Sequence, residues 1–328
     1  MNLIFLGTPD FSVKSLENIL NSRHRVLAVV TQPDKPAGRG GAVCFSPVKK
    51  CAAEHGVKIL QFDKIREPEA IAELKALNPD IMVTCAFGQI LSREVLEVAP
   101  RGVINVHASL LPKYRGAAPI QWAIINGDKK TGVTIMQTEE GVDTGDIILS
   151  RETNILPDET AGELFEKLSA LGAELIVEAL NEIEDGTATF TKQNNAVSSH
   201  VKMLKKQDGL LDFNNNSETL VNFIRGMNPW PCAFTFYKGK TLKVFKAMAL
   251  TAGDFAFDEA VHLNFLSGSV VTADRKNGFV VKTKDGVLRL CEIQTEGGKR
   301  MSDLDFLLGH AVKAGEILGE NGQAKTAE

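Results

Sequence analysis

At 328 residues the chain is too long for one ordinary domain and predicts two. Hydrophobic residues make up 44% and charged residues 24%, the composition of a globular protein with sizeable cores. No apolar run approaches the roughly 18 residues that a membrane crossing requires. Charge is uneven: residues 1–189 carry 19 Lys and Arg against 26 Asp and Glu, and residues 190–313 carry 17 against 12. The basic excess of the second part suits an anionic partner, nucleic acid included, or reflects chance on solvated surfaces.

The chain opens with MNLIFLGTPDF, a short apolar run without a basic leader, which predicts a first strand and not a signal peptide. Apolar runs then alternate with helical patterns. NLIFLG precedes the amphipathic FSVKSLENILNS, and RVLAVVT precedes a long loop and PVKKCAAEHG. VKIL leads to EPEAIAELKAL, DIMVTCA to SREVLEV, and GVINVH to AAPIQWAIIN. GVTIMQT, DIILSRETNI and a long helix over 160–184 complete the first part. Strands apolar on both faces, alternating with helices, predict an α/β domain with a mostly parallel, Rossmann-like sheet over residues 1–189.

Residues 190–208 turn polar and aperiodic, rich in Asn, Ser and Lys, and read as a linker. After one helix, SETLVNFIRGM, come AFTFY, LKVFKAMAL, SGSVVTA, GFVVKTK and VLRLCEI, separated by turn signals such as YKGK and KDG. Short strands without intervening helices predict a small OB-like β-barrel over 209–313, followed by a small polar tail over 314–328. The five cysteines (44, 51, 85, 232, 291) are odd in number and scattered without a C-x-x-C pair. No disulfide framework or metal site is expected, and a reducing, cytoplasmic setting is.

One stretch does not fit plain core. RGVINVHASLLPKYRG, residues 101–116, starts as a buried strand yet carries Asn105 and His107. Alternation puts both on one face, at the carboxyl end of the strand, where open α/β sheets bind ligands. The strand GVTIMQT runs into EEGVDTGD; both strands are expected to end on the same edge of a parallel sheet, so that an acid from that loop approaches His107. Asp143, between Gly141 and Gly145, is the better candidate, since Asp146 could simply hold the turn. No G-x-S-x-G elbow surrounds Ser109, which reads as a turn hydroxyl, and the first turn lacks the G-x-G-x-x-G of dinucleotide binders. Asn, His and Asp without a nucleophile suit direct acyl transfer, the amide and imidazole holding an oxyanion and the carboxylate managing protons.

The pattern N-V-H-x-S-L-L-P-x-Y-R-G, with G-x-D-T-G-D some thirty residues later, resembles the 10-formyltetrahydrofolate-dependent formyltransferases. GTPDFS, TQPDKPAGRG (31–40), SPVK (46–49), RGAAPIQWAIINGD (115–128), GVTIMQ (132–137) and NPWP (228–231) are similar to the branch that acts on initiator methionyl-tRNA. The resemblance implies that Asn105, His107 and Asp143 are catalytic and that 10-formyltetrahydrofolate is the donor, with no metal. It further implies that Ser109, Leu110, Leu111 and Pro112, with Gln89, Ile90 and Leu91, line the folate site. Ile90, Leu110 and Leu111 could equally be core. The loop 34–50 would meet the acceptor end of the tRNA through Arg39, although Gly41-Ala42-Val43 replaces the basic residues common in that branch. Lys205 and Lys206 belong to a phosphate-facing surface, and a monomer is implied.

Trp230, between two prolines, is expected to anchor structure rather than stack on a base. Three rivals remain: transfer to a small amine, a non-catalytic binding module, and a nicotinamide oxidoreductase. The second domain argues against the first, the Asn, His and Asp set against the second, and the missing glycine fingerprint against the third.

Overall fold

The computed structural model describes residues 1–37, 42–250 and 265–319. The chain forms two compact units. The first comprises Met1–Pro119, Lys130–Asn154 and Leu164–Lys202; the second comprises Ile120–Lys129, Ile155–Glu163 and everything from Met203 onward. The sequence suggests a single division at 190–208. Instead, two short pieces from the first half of the chain count with the second unit, and residues 190–202 are bonded into the first.

In the first unit the apolar runs become β1 (Asn2–Gly7), β2 (Arg25–Thr31), β5 (Ile59–Gln61), β6 (Ile81–Cys85) and β7 (Val103–His107), while β3 (Lys35–Ala37) and β4 (Ala42–Cys44) pair antiparallel within the stretch expected to be a loop. The strands continue with the two-residue β8 (Arg115–Gly116), then β9 (Lys130–Gln137), β10 (Ile147–Asn154) and β11 (His200–Val201). Helices α1 (Val13–Leu20), α2 (Pro47–Glu54), α3 (Pro68–Ala76) and α4 (Arg93–Leu96) separate the early strands, α5 (Pro119–Ile125) counts with the second unit from Ile120, and α6 (Ala161–Asp185) returns to the first from Leu164. Helix α2 starts where sequence logic puts it: Ser46 caps it by accepting from the Lys49 N–H at 3.1 Å, with Pro47 in its first turn.

Seven strands form one sheet in the order β10-β9-β7-β6-β1-β2-β5. The five from β7 to β5 are parallel, and their apolar residues face helices on both sides, so Ile4, Leu6, Val30, Met82 and Val103 are buried in one cluster. Strand order reverses beside β1, whose neighbours are β2 and β6, so a crevice opens past the carboxyl ends of β1 and β6. Strand β9, however, runs antiparallel to β7. A strand buried on both faces carries no sequence mark of its direction, so the expectation that β7 and β9 end on the same edge is wrong.

In the second unit, α7 (Ser217–Gly226) precedes β12 (Ala233–Tyr237), β13 (Lys240–Leu250), β14 (Val270–Asp274), β15 (Gly278–Lys282), β16 (Val287–Thr295), β17 (Met301–Ser302) and α8 (Asp303–Gly309). The sheet is antiparallel, ordered β12-β13-β16-β15-β14, with β17 beside β16. Register shifts in β13 between Val244 and Ala247, and in β14 between Val270 and Thr272, give the curl that an OB-like barrel needs.

Trp230 departs from expectation, being 50% exposed. The anchoring falls to its neighbour Asn228, which is buried, accepts from the Gly162 N–H at 3.0 Å and donates to the Phe245 carbonyl at 3.0 Å. All five cysteines are free. Burial pushes the Cys51 and Cys85 thiols up to about 11, so neither offers a thiolate near neutral pH.

Candidate active site

Strand β7 ends at His107, whose side chain is 7% exposed, and Asn105 sits two residues earlier on the same strand face. Each has one polar atom held by the protein. The Thr84 hydroxyl on the paired strand β6 donates to Asn105 Oδ1 at 2.8 Å, which leaves the amide NH2 as a donor. Nε2 of His107 lies 3.0 Å from the Tyr114 carbonyl. A carbonyl can only accept, so Nε2 carries a proton and the exchangeable position of the ring is Nδ1.

Nδ1 lies 3.6 Å from Oδ2 of Asp143. That is an ion-pair distance for a protonated ring but too long for a good hydrogen bond, so a reacting oxygen or a water can meet Nδ1 beside the carboxylate. The same Oδ2 accepts from the Gly116 N–H at 2.8 Å. Asp143 thus reaches His107, though not by the route expected. Gln137 pairs with Ile104 and Thr134 with His107, so the loop after β9 starts near the amino end of β7, about 10 Å from His107 at roughly 3.3 Å per residue.

The loop folds back over that span. Its ends are joined where the Gln137 N–H donates to the Asp146 carbonyl at 2.9 Å. Asp143 takes the left-handed backbone conformation, φ 51°, which Asp tolerates. At Gly145 a Cβ would lie 1.9 Å from the Gln137 carbonyl oxygen, so only glycine fits that crossing.

The remaining predicted residues fall in three places. Ser109 is fully buried and donates to the Lys113 carbonyl at 2.7 Å, while its own carbonyl accepts from Thr134. Leu111 is buried and its N–H donates to Thr134 Oγ1 at 3.2 Å; Leu110 and Pro112 are half-buried in the same turn. The Gln89 amide is spent on the neighbouring loop, accepting from the Ile65 N–H and donating to the Phe62 carbonyl. Leu91 packs on the core cluster, whereas Ile90 is 84% exposed.

Between them, Ala86 and Gly88 have positive φ, and the Phe87 carbonyl is pinned by Thr8 and Gln32. That loop leaves the carboxyl end of β6, at the crevice. Lys205 and Lys206 are exposed on the second unit. Arg39 lies outside the described residues. Among the described residues no group of three or more His, Cys, Asp or Glu is placed to hold a metal ion. A cavity of about 640 Å³ opens under Gly102, Ile104 and Gln137, at the amino end of β7, away from His107.

Sequence reasoning missed Thr84, Tyr114, Gly116 and Ser199. Tyr114 and Gly116 lie inside the motif that drew attention to the region, but nothing local marks Thr84 or Ser199. Ser199 matters because β11 pairs with β8: the Tyr114 N–H donates to Ser199 Oγ and the Arg115 N–H to the Ser199 carbonyl, each at 2.8 Å.

The family model "Formyl transferase" matches residues 1–180, and "Formyl transferase, C-terminal domain" matches residues 203–311. The methionyl-tRNA formyltransferase of Agathobacter rectalis is 49% identical over 317 residues, covering 97% of this chain and 99% of that protein. The one from Ruminiclostridium cellulolyticum is 44% identical over 320 residues, covering 98% and 100%. Among solved structures, the sugar 3N-formyl transferase WlaRD, in the presence of dTDP and 5-N-formyl-THF, has a TM-score of 0.64 at 22% identity, over 88% of this chain and 96% of that one. The N-formyltransferase of Helicobacter canadensis, with folinic acid and dTDP-3-aminofucose, has a TM-score of 0.62 at 22% identity over 91% and 99%. These two share the fold. With one family model spanning more than half its length and relatives of 44–49% identity along nearly all of it, the chain belongs to the formyl transferase family, among the methionyl-tRNA formyltransferases.

Proposed function

We propose that the protein transfers the formyl group of 10-formyltetrahydrofolate to the α-amino group of methionine esterified to initiator tRNA, in the cytoplasm and as a monomer. The observation that carries the chemistry is the pairing at the end of β7. The free NH2 of Asn105 and Nδ1 of His107 share one strand face, with the Asp143 carboxylate 3.6 Å from Nδ1. The acceptor follows from relatives of that activity matched along nearly the whole chain.

An α-amino group has a reference pKa of about 8, so part of it is neutral near pH 7. The neutral nitrogen attacks the formyl carbon and the carbonyl oxygen becomes an oxyanion, held by the Asn105 NH2 and by the Nδ1–H of His107. Asp143, beside the ring, takes the amine proton directly or through a water. The bond from the formyl carbon to N10 then breaks, and N10 leaves with the proton that Asp143 took from the amine, returned directly or through the same water.

The pterin pocket is lined by main-chain groups of Gln89, Ile90 and Leu91, and Ser109, Leu110, Leu111 and Pro112 form the second folate-binding segment. The Gln89 side chain is already committed to the Phe62–Ile65 loop, which supports a main-chain role for residues 89–91. Arg39, Lys205 and Lys206 meet tRNA phosphates.

The test is formyl transfer by purified protein, comparing charged initiator tRNA, free methionine and uncharged tRNA. Formylation confined to the charged tRNA is expected. If the donor turns over only with a small amine or water, the folate half of the proposal stands and the tRNA half falls.

A further inference from the structure

Both partners of the His107 ring sit on loops that are themselves held by one later segment, Thr191–Val201. On the Nε2 side, that segment fixes Tyr114 and Arg115 through Ser199. On the Nδ1 side the link is Gln193. Its Nε2 donates to the main-chain carbonyls of Asp143 at 2.9 Å and Gly145 at 2.7 Å.

The amide cannot turn over, because its Oε1 accepts from Nε and Nη2 of Arg115 at 3.0 and 2.7 Å. Arg115 is 3% exposed, and Nη2 also donates to Asn195 Oδ1 at 2.8 Å. A buried guanidinium held by two amide oxygens is a fixed, charge-assisted donor, so Gln193 is locked with its NH2 toward the Asp143 loop.

Building on the catalytic reading of Asp143, we propose that Gln193 is a positioning residue for the reaction. It holds the Thr138–Gly145 loop so that the Asp143 carboxylate stays opposite Nδ1 of His107, and Arg115 sets the direction in which Gln193 acts. The Gly116 N–H holds the Asp143 carboxylate itself at 2.8 Å, while Gln193 holds the main chain on which that carboxylate is carried.

Gln193→Glu separates this role from folding. The carboxylate keeps the acceptor end and gains an ion pair with Arg115, but it replaces the NH2 that donates twice by a single oxygen aimed at two carbonyls. Steady-state kinetics and thermal unfolding would be measured for wild type, Gln193→Glu, Asp143→Asn and the double variant. The expected result is a Tm close to wild type, KM values for both substrates little changed, and kcat down on the order of 10²-fold. On the Asp143→Asn background the same change should cost nothing further, since Gln193 acts through Asp143.

The proposal is overturned if Gln193→Glu keeps wild-type kcat, if its loss tracks a lowered Tm, or if its loss multiplies with that of Asp143→Asn. Wild-type turnover in Asp143→Asn would instead remove the catalytic reading of Asp143, a separate failure seen in the single variant alone.

Discussion

Burying an amide and an imidazole costs free energy unless their polar atoms are matched, and here the matching is deliberately partial. Thr84 satisfies Oδ1 of Asn105 and Tyr114 satisfies Nε2 of His107, leaving an NH2 group and Nδ1 for whatever enters the crevice. Asn105→Ala and His107→Ala should each lower turnover on the order of 10²–10³, with affinity for charged tRNA nearly unchanged in a filter-binding assay. Thr84→Val is the subtler case. It removes one neutral hydrogen bond of about 1 kcal/mol, roughly fivefold, and frees the Asn105 amide to turn its oxygen toward the formyl group. A single-turnover rate equal to wild type for Thr84→Val would mean that the amide is oriented by something else.

At the scale of elements, the site depends on a loop that begins at the wrong end of its strand. Glycine at position 145 allows that loop to cross the Gln137 backbone, and an added methyl would meet a carbonyl oxygen that cannot move without opening the hairpin of β9 and β10. Gly145→Ala should therefore mimic Asp143→Asn, losing turnover on the order of 10². A variant with full activity in the formylation assay would show that the loop tolerates another path.

Most of the strands and helices were legible in the sequence, because runs such as NLIFLG and spacings such as Leu16 and Ile19 are local signals. So were Asn105 and His107, conspicuous as polar residues at the end of an apolar strand. The direction of β9 was not legible, because six consecutive residues buried on both faces look alike whichever way the strand runs. Strands β8 and β11, two residues each, have no periodicity to read. Gln193 and Ser199 sit in polar text whose partners are about 50 and 85 residues away in sequence.

For the whole molecule, charge is uneven along the chain, acidic over residues 1–189 and basic over 190–313. Asn105, His107 and Asp143 lie in the acidic part, while exposed lysines such as Lys205, Lys206, Lys240, Lys243 and Lys246 lie in the second unit. Replacing Lys205 and Lys206 together by Ala should raise KM for charged tRNA and flatten its salt dependence by about one to two units of log–log slope, with folate KM unaffected. An unchanged salt slope would take these two lysines off the tRNA surface.

The pairing of β8 with β11 also bears on how the enzyme comes into being. A ribosome that has threaded out residues 1–189 has already made Asn105, His107 and Asp143, but neither Gln193 nor Ser199, whose bonds hold the flanking loops. A nascent or truncated chain of that length carries the reacting groups without their restraints. On the proposed role of these groups, turnover is expected only once synthesis has passed Val201; wild-type formylation by a chain cut at residue 189 would show that these restraints are dispensable.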